Sequence, residues 1–376
     1  MPPGFGACQL SASSRLTASD GTKLTGTYFS AGKAGPGVLL LHQCNRQRKV
    51  WDGLAQQLAA AGINVFTFDY RGFGESGGKP EDKSTPAEIG AQRGKWPGDL
   101  EVAYQYLVSQ PGVNKEDIGV GGASCGVDNS VQTALRHPEV KSLVLLSGPT
   151  DRKGRQFLRD SITAPEFFAA ADDDEFPGAV LTMEWYYNIT GNPGKTWVHE
   201  ATGGHGADMF KAHPELMAQI TDWYVTTLIK TPGHAPASKE AFTPSQQVIV
   251  LSMLDQPGGT AKVSQMLDEA RLKDPHANLF DEATVNLMGY ELIQAGDNQA
   301  ALAVMKLNVK AYPNSPNTYD SLADAYLATG QKELARQASN KALELLPSDT
   351  ADPQPRRDAI KASSEGRLKQ LEDEYQ

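Results

Sequence analysis

Residues 119–130 read Gly-Val-Gly-Gly-Ala-Ser-Cys-Gly-Val-Asp-Asn-Ser and contain the pentapeptide Gly-x-Ser-x-Gly around Ser124. A short apolar stretch typical of a strand precedes it, and a helical pattern follows it. Gly122 and Gly126 permit a tight strand-to-helix turn, because larger side chains would keep the backbone before the serine away from the backbone after it. Such a turn exposes the serine hydroxyl as a nucleophile near the free N–H groups of a helix start, which stabilise negative charge. A purely structural turn has the same pattern, so the pentapeptide alone leaves both interpretations open.

Two further groups of residues could complete a catalytic set, and both follow predicted strands. Residues 172–174 are three consecutive aspartates at the end of the apolar stretch 165–171. Most acidic triplets are solvated loop residues, but this one lies between the serine and a histidine along the chain. That histidine, His205, stands in the segment Thr-Gly-Gly-His-Gly, where an imidazole has little packing role. His42 also follows a strand, and we expect it to order the loop that begins there.

The composition is that of an ordinary globular protein. The chain has 376 residues, 40% hydrophobic and 21% charged, which is enough for two domains with substantial cores. A net charge of −10 without a Lys/Arg-rich block argues against a nucleic-acid partner. No run of 18 apolar residues predicts a membrane span. Residues 1–8 lack the basic and apolar regions of a signal peptide, so the location stays open between the cytoplasm and export with the signal removed.

The cysteines and histidines predict neither disulfides nor a metal site. Cys8, Cys44 and Cys125 are three in number and cannot all pair, and two of them lie at the proposed active-site turns. We therefore expect no disulfide framework. No clustered Cys/His spacing indicates a metal, and no cofactor is expected.

Strand and helix patterns alternate over the first two thirds of the chain. Strands are predicted at 24–29, 37–42, 63–69, 118–121, 141–146, 165–171 and 197–200, and helices at 51–61, 99–109, 130–136 and 215–229. This alternation predicts an α/β fold with a mostly parallel, doubly wound sheet. In such sheets the ligand site lies at the carboxyl ends of the strands, and Ser124 follows one of them. Residues 75–98 are polar and form either a pocket rim or a surface loop.

Residues 20 to about 232 resemble the α/β-hydrolase superfamily, most of all its dienelactone-hydrolase-like and esterase branches. The segments that carry the resemblance are Leu-Leu-Leu-His-Gln-Cys-Asn (39–45), Phe-Asp-Tyr-Arg-Gly-Phe-Gly-Glu-Ser (68–76), Gly-Ala-Ser-Cys-Gly (122–126), the aspartates 172–174 and Gly-Gly-His-Gly (203–206). The order Ser, Asp, His is also that of the superfamily. The resemblance implies an α/β-hydrolase fold.

The same resemblance implies a catalytic triad. Ser124 takes the role of the nucleophile, and His205 that of the general base and later the general acid. One aspartate orients the imidazole. The superfamily usually places this acid three residues after the small residue that ends its strand, which selects Asp174, with Asp173 as the alternative.

The resemblance also implies an oxyanion hole made of backbone amides. One amide is that of Cys125, directly after the nucleophile. The other comes from the loop after the strand at 37–42, where register favours Cys44. Gln43 stands where most members have glycine, so its amide is the alternative to that of Cys44.

The last third of the chain is helical and repetitive. Gly296 and Gly330 recur at a spacing of 34 residues, as do Tyr312-Pro313 and Leu346-Pro347. This resembles tetratricopeptide (TPR) repeats, with residues 248–275 as a degenerate third unit. We expect three regions, namely a catalytic domain at 1–232, a linker at 233–245 and a TPR-like domain at 246–376.

These features favour a serine esterase that cleaves soluble carboxylic esters through an acyl-enzyme. The segment 146–165 is short, so no lid is expected, and the partner is a small-molecule ester. A peptidase, an amidase or a thioesterase could use the same triad. A different class stays open as well, a non-catalytic scaffold whose helical repeats bind a protein partner or mediate self-association.

Overall fold

The computed structural model describes residues 11–161, 163–176, 178–237 and 242–373, so Cys8 lies outside the described residues. The chain divides into two compact units, Met1–Thr243 and Pro244–Gln376, which are described separately. Within the described ranges, every helix is too short or too polar to span a bilayer.

The first unit is built on an eight-stranded sheet. The strands lie in the order β1-β2-β4-β3-β5-β6-β7-β8, and all neighbours from β4 to β8 are parallel, whereas β1/β2 and β2/β4 are antiparallel. Their bounds are Ser11–Thr17 (β1), Lys23–Phe29 (β2), Gly35–Leu41 (β3), Asn64–Phe68 (β4), Val113–Ala123 (β5), Val140–Leu146 (β6), Glu166–Ala171 (β7) and Lys195–Glu200 (β8). The parallel strands therefore end together at one edge of the sheet.

Helices connect the parallel strands, and two more follow the last strand. Their bounds are Asp52–Ala61 (α1), Pro86–Arg93 (α2), Trp96–Ser109 (α3), Cys125–Arg136 (α4), Arg152–Asp160 (α5), Ala179–Ile189 (α6), Met209–Ala212 (α7) and Pro214–Tyr224 (α8), the last continuing into a π-helical segment at Val225–Lys230. Each connection between successive parallel strands is longer than a dozen residues, as a crossover between parallel strands requires.

The sheet is covered by helices on both faces. Val38 and Leu40 of β3 share one hydrophobic core with Leu54 of α1 and Ile220 of α8. Side chains alternate along a strand, so the residues between them face the opposite side, where α3 and α4 pack on β3 and β5. The predicted α/β fold with a mostly parallel, doubly wound sheet is confirmed.

The structure also contains elements that the sequence patterns do not predict. These are the edge strand β1, the helix α2 inside the polar stretch 75–98, the helix α5 inside the segment 146–165, and the helix α6. In addition, α4 begins at Cys125 and not at residue 130. Its first turn contains Gly126 and Asn129, which are poor helix formers, and burial of the turn overrides their local preference.

The second unit is all-helical. Its helices are Gln246–Leu254 (α9), Gly259–Lys273 (α10), Glu282–Gln294 (α11), Asn298–Ala311 (α12), Pro316–Ala328 (α13), Lys332–Leu345 (α14) and Gln354–Asp373 (α15). Successive helices from α11 to α15 pack against one another. The turns inside the pairs α11/α12 and α13/α14 contain Gly296 and Gly330, both in the left-handed region that glycine tolerates.

Candidate active site

Ser124 lies in a strained turn between β5 and α4. Its backbone has φ 54° and ψ −122°, a combination that non-glycine residues rarely adopt. A Cβ atom on Gly122 would overlap the carbonyl of Gly126, and one on Gly126 would overlap the carbonyl of Leu41 at the end of β3. Both glycines are therefore required by close backbone approach, as the sequence predicts.

The end of β6 holds the same turn from the other side. The amide of Ser124 donates a hydrogen bond of 2.9 Å to the carbonyl of Leu146. Ser147, the next residue, also has a positive φ of 48°, and a Cβ on Gly148 would collide with the Ser124 backbone. Ser124 is thus held from β6 as well as from β3, and no sequence motif indicates the contribution of β6.

The three consecutive aspartates have three different partners. Asp172 lies 2.7 Å from Nε2 of the half-exposed His199. Asp173 accepts a hydrogen bond of 2.8 Å from the amide of Gly204, and this bond holds the pKa of its carboxyl below the usual range. Asp174 alone among the three contacts the imidazole of His205.

His205 and Asp174 form a buried pair. Nδ1 of His205 lies 2.9 Å from both carboxylate oxygens, and each side chain is 3% exposed. A carboxylate only accepts, so Nδ1 carries a proton and Nε2 is left as the acceptor of the neutral ring. Nε2 is buried without a hydrogen-bond partner in the described part of the chain. The structure therefore brings the histidine and the aspartate together, while in the described residues the Ser124 hydroxyl makes no hydrogen bond to Nε2.

The loop that carries His205 nevertheless reaches the nucleophile turn. Gly206 has a positive φ, and a Cβ built on it would lie 3.0 Å from the Cβ of Ala123, the residue before Ser124. The aromatic ring of Phe176, which is 52% exposed, lies 4.4 Å from the His205 ring between centroids. The imidazole thus lies against an exposed apolar side chain, and the residue after it approaches the residue before Ser124.

His42 is a buried structural residue, in agreement with the role expected from the sequence. Its Nδ1 donates to the carbonyl of Gln43 at 2.8 Å, and its Nε2 accepts from the amide of Tyr70 at 3.2 Å. Burial lowers the pKa of His42 to about 4, so the ring is neutral near pH 7. The ring therefore links the ends of β3 and β4.

The side chain of Gln43 connects the loop after β3 to the His205 loop. Its amide group donates to the carbonyl of His205 at 3.2 Å and to the Asp208 carboxylate at 3.3 Å. Its oxygen accepts from the amide of Ala207 at 2.9 Å. Gln43 is fully buried. Sequence reasoning considered only its backbone amide and missed this role, for which the only signal is a glutamine in place of the usual glycine.

Cys44 and Cys125 are joined by a disulfide bond, with 5.9 Å between their Cα atoms. The expectation that this chain has no disulfide is therefore wrong. An odd number of cysteines excludes complete pairing but not one pair. β3 and β5 are neighbours in which Leu41 is paired with Gly122, and each cysteine follows three residues after its paired residue. The fold thus brings the two cysteines side by side.

Backbone amides of these cysteines are available to a ligand. In the described residues, neither Cys44 nor Cys125 donates its N–H to a protein acceptor. Cys125 is the first residue of α4, where N–H groups have no partner within the helix. Cys44 lines an open cleft of 630 Å³, whereas the neighbouring Gln43 is fully buried. Solvent access therefore favours the amide of Cys44 over that of Gln43.

The cleft beside Cys44 has a mixed lining. Its walls carry both cationic and anionic side chains as well as one aromatic ring, namely Arg46, Lys49, Lys211, Glu81, Asp82, Asp208 and Phe73. Opposite charges are paired in several places, for example Arg46 with Asp208 at 2.7 Å. The polar stretch 75–98 thus contributes to the rim through Glu81 and Asp82. Trp96, the tryptophan of the same stretch, is buried.

A second cluster of ionisable groups contacts the start of the His205 loop at Thr202. Carboxylate oxygens of Glu200 and Glu215 and an imidazole nitrogen of His213, all groups that can bind a metal ion, lie within 4.8 Å of one another. Nε2 of His213 lies 2.8 Å from the carbonyl of Thr202, and Nδ1 lies 3.2 Å from the carboxylate of Glu215. Partial desolvation opposes ionisation, but these acceptors raise the pKa of His213. The His213 ring therefore lies between two carboxylates.

The comparisons with known proteins agree with this architecture. The family model described as alpha/beta hydrolase fold matches residues 36–181. An uncharacterized protein of Mycobacterium tuberculosis is 33% identical over 130 residues, which is 34% of this chain and 42% of that protein. Human alpha/beta hydrolase domain-containing protein 17C is 34% identical over 172 residues, 42% of this chain and 49% of that protein. The chain thus spans half or less of the length of these relatives.

Among solved structures, a dienelactone hydrolase from Anabaena variabilis has a TM-score of 0.47 and 17% identity, covering 59% of this chain and 100% of that one. Together with the strand order and the helix layers, the family match defines the first unit as an α/β-hydrolase fold.

Proposed function

We propose that the first unit is a serine hydrolase that cleaves carboxylic esters. The observation that carries the proposal is the buried His205–Asp174 pair. Its Nε2 has no hydrogen-bond partner among the described residues, and its loop contacts the residue before Ser124. In this mechanism Nε2 accepts the Ser124 proton as the hydroxyl oxygen attacks the ester carbonyl. Catalytic hydrogen bonds are often long in the free enzyme and shorten when substrate binds, which fits the geometry of the serine and the ring.

Asp174 acts by orienting the ring and stabilising its charge. Its two oxygens face Nδ1, so the neutral tautomer that accepts at Nε2 is the one selected. Asp173 binds the Gly204 amide in the same loop and acts through the backbone. The geometry therefore favours Asp174 over Asp173 as the triad acid.

The amides of Cys44 and Cys125 serve as the oxyanion hole. Both lack a protein acceptor in the described residues, and that of Cys125 lies at the positive end of α4. Each such donor is typically worth about a hundredfold or more in turnover. The carbonyl oxygen becomes an alkoxide between the two amides, the alcohol leaves with a proton from His205, and water releases the acyl group by the same route.

The substrate class follows from the surroundings. The exposed ring of Phe176 next to His205 offers apolar contact, and the open cleft at Cys44 offers paired charges to a polar portion. An ester with one apolar and one hydrated portion fits these surroundings. Amides and thioesters are the alternatives for the same triad.

The second unit is proposed to be a TPR-like domain that binds a protein partner or mediates self-association. The pairs α11/α12 and α13/α14 have the same helix lengths, 13 and 14 residues in each case. The α9/α10 pair is less regular, because α9 has 9 residues. Light scattering of the intact chain over a concentration series tests self-association, and a constant monomer mass would reject it.

Active-site labelling tests the proposed esterase. A fluorophosphonate should add to one residue, Ser124, as identified by mass spectrometry of peptides, and short p-nitrophenyl esters should be cleaved. Ser124→Ala should lose both reactions, while Ser109→Ala at an exposed serine of α3 serves as the control. Unchanged turnover in Ser124→Ala would disprove the assignment.

A further inference from the structure

The Cys44–Cys125 bond joins the two segments whose amides form the proposed oxyanion hole. Cys125 belongs to a rigid element, because it opens α4 and its neighbour Gly126 packs on the Leu41 carbonyl. Cys44 belongs to an exposed turn followed by the solvent-exposed residues 45–47. The disulfide therefore attaches the less constrained donor to the more constrained one.

The side-chain hydrogen bonds of this turn to the His205 loop do not connect it to α4. Gln43 binds the His205 loop, and Arg46 binds Asp208 in the same region. Among the contacts of residues 43–46 in the described chain, the disulfide is the one that ties the turn covalently to the helix of the nucleophile. Without it, the spacing between the two amides depends on backbone packing alone.

We propose that the Cys44–Cys125 disulfide is the positioning element of the oxyanion hole, so that a dithiol reductant reversibly lowers turnover. This inference rests on the proposed function. An oxyanion hole stabilises the transition state only when both donors point at one oxygen position, and small displacements cost much of the effect. Loss of the bond thus lowers kcat more than it changes KM.

The bond is open to exchange. Both cysteines are partly exposed, and Cys44 lines the cleft, so a thiolate can approach its sulfur from solvent. The attacking thiolate forms a mixed disulfide with Cys44 and expels the Cys125 sulfur as a thiolate. The second thiol of the reagent then displaces Cys44, giving a cyclic disulfide and two protein thiols, with two electrons and two protons gained by the protein.

The position of Cys125 adds a second effect. A thiolate at the first residue of a helix is stabilised by the free N–H groups and the helix dipole. In the reduced protein this negative charge lies beside the amide that is to receive the developing alkoxide. Like charges so close together oppose the transition state, which again lowers kcat.

The experiment compares oxidised and reduced forms of the intact chain carrying Cys8→Ser, so that no third thiol takes part in exchange. Protein is treated with dithiothreitol, desalted under nitrogen and assayed with p-nitrophenyl acetate. Iodoacetamide labelling and mass spectrometry count the thiols, with two per chain expected after reduction. We expect kcat to fall roughly 10- to 100-fold, KM to change little, and reoxidation to restore activity.

A double variant, Cys44→Ala with Cys125→Ala, keeps both amides and lacks the bond. Its kcat should lie below that of the oxidised protein and at or above that of the reduced protein, and dithiothreitol should not change it. Because the reduced cysteines can carry a thiolate and the alanines cannot, any additional loss in the reduced protein measures the charge effect.

The outcomes separate this inference from the esterase assignment. An oxidised protein without esterase activity and without a phosphonate adduct on Ser124 rejects the proposed function. An active oxidised protein whose kcat is unchanged or raised after verified reduction overturns the positioning role alone. Loss of the folded tryptophan emission together with kcat also overturns it, because the bond would then maintain the fold and not the oxyanion hole.

Discussion

Gln43 and His205 are joined side chain to backbone across the active site. The Gln43 amide group donates to the His205 carbonyl at 3.2 Å, and its oxygen accepts from Ala207, two residues further, at 2.9 Å. The backbone that follows the imidazole, from the His205 carbonyl to the Ala207 amide, is therefore fixed by one buried side chain. In the proposed mechanism Gln43 is a positioning residue, since it is fully buried and contacts the loop of the proposed base His205.

Replacing Gln43 should impair turnover without weakening substrate binding. We expect Gln43→Ala to lower kcat by about 10- to 100-fold with KM nearly unchanged, because a displaced base loses its alignment. Gln43→Glu should not rescue kcat, since its carboxylate cannot donate to the His205 carbonyl and repels Asp208. Steady-state kinetics with p-nitrophenyl esters measure both constants, and Gln265→Ala, at an exposed glutamine of the second unit, is the control. Normal activity of Gln43→Glu would mean that Gln43 only fills space.

Separate asparagine variants of the three aspartates should differ strongly. Asp174→Asn removes the acceptor that fixes the His205 tautomer and should lower kcat by roughly three to four orders of magnitude. Asp173→Asn and Asp172→Asn leave that contact intact and should cost less than about tenfold. The residual rate of each is measured with the same ester. Equal losses in Asp173→Asn and Asp174→Asn would contradict the assignment of the acid.

The buried His42 should make the first unit less stable in mild acid. In the folded protein its pKa is lowered from 6.5 to about 4 by burial, so between these values the unfolded chain binds the extra proton. Stability from this group is present above pH 6.5 and is lost as the pH falls towards 4. The full shift corresponds to about 3 kcal/mol.

Urea unfolding at several pH values measures this dependence. All five tryptophans lie in residues 1–243, so their fluorescence reports on the first unit. His42→Gln should lower the stability at pH 7 and flatten its decline between pH 6.5 and 4. His276→Gln, at an exposed histidine, is the control and should leave the pH dependence of the stability unchanged. A decline in His42→Gln as steep as in the unmodified protein would exclude this explanation.

Phe176 should contribute to the preference for apolar esters. Its ring is half exposed and lies against His205, so an apolar substrate group can be buried there. We expect Phe176→Ala to lower kcat/KM roughly threefold to tenfold for long-chain esters and less for acetate esters. A series of p-nitrophenyl esters of increasing chain length measures the effect. Leu272→Ala removes an exposed apolar residue of the second unit as a control, and an equal loss for all chain lengths would argue against contact.

The residues of the candidate site could be predicted because each follows a strand. Ser124, Asp174 and His205 come after β5, β7 and β8, and the parallel arrangement brings such positions to one edge. Local patterns of apolar and glycine residues are enough to find these strand ends. The hydrogen-bond partners of individual side chains could not be predicted, because Asp172, Asp173 and Asp174 are indistinguishable in sequence.

The disulfide and the role of Gln43 could not be predicted from local pattern. β3 and β5 are neighbours in the sheet but not along the chain, since β4 lies between them in sequence. The register that pairs Leu41 with Gly122 depends on packing of the whole sheet. The disulfide is a contact fixed by this register, and it appears only once the strand order is known. Gln43 contacts a loop 162 residues further along the chain, so its partners likewise depend on the whole fold.

The bond between Cys44 and Cys125 also closes a covalent ring. The two cysteines are 81 residues apart, and the ring contains β4, β5 and three helices. Closing a loop of this size reduces the conformational entropy of the unfolded chain, which stabilises the fold by about 4 to 5 kcal/mol. A protease that cuts once within this ring leaves the two pieces attached, and they separate only after reduction.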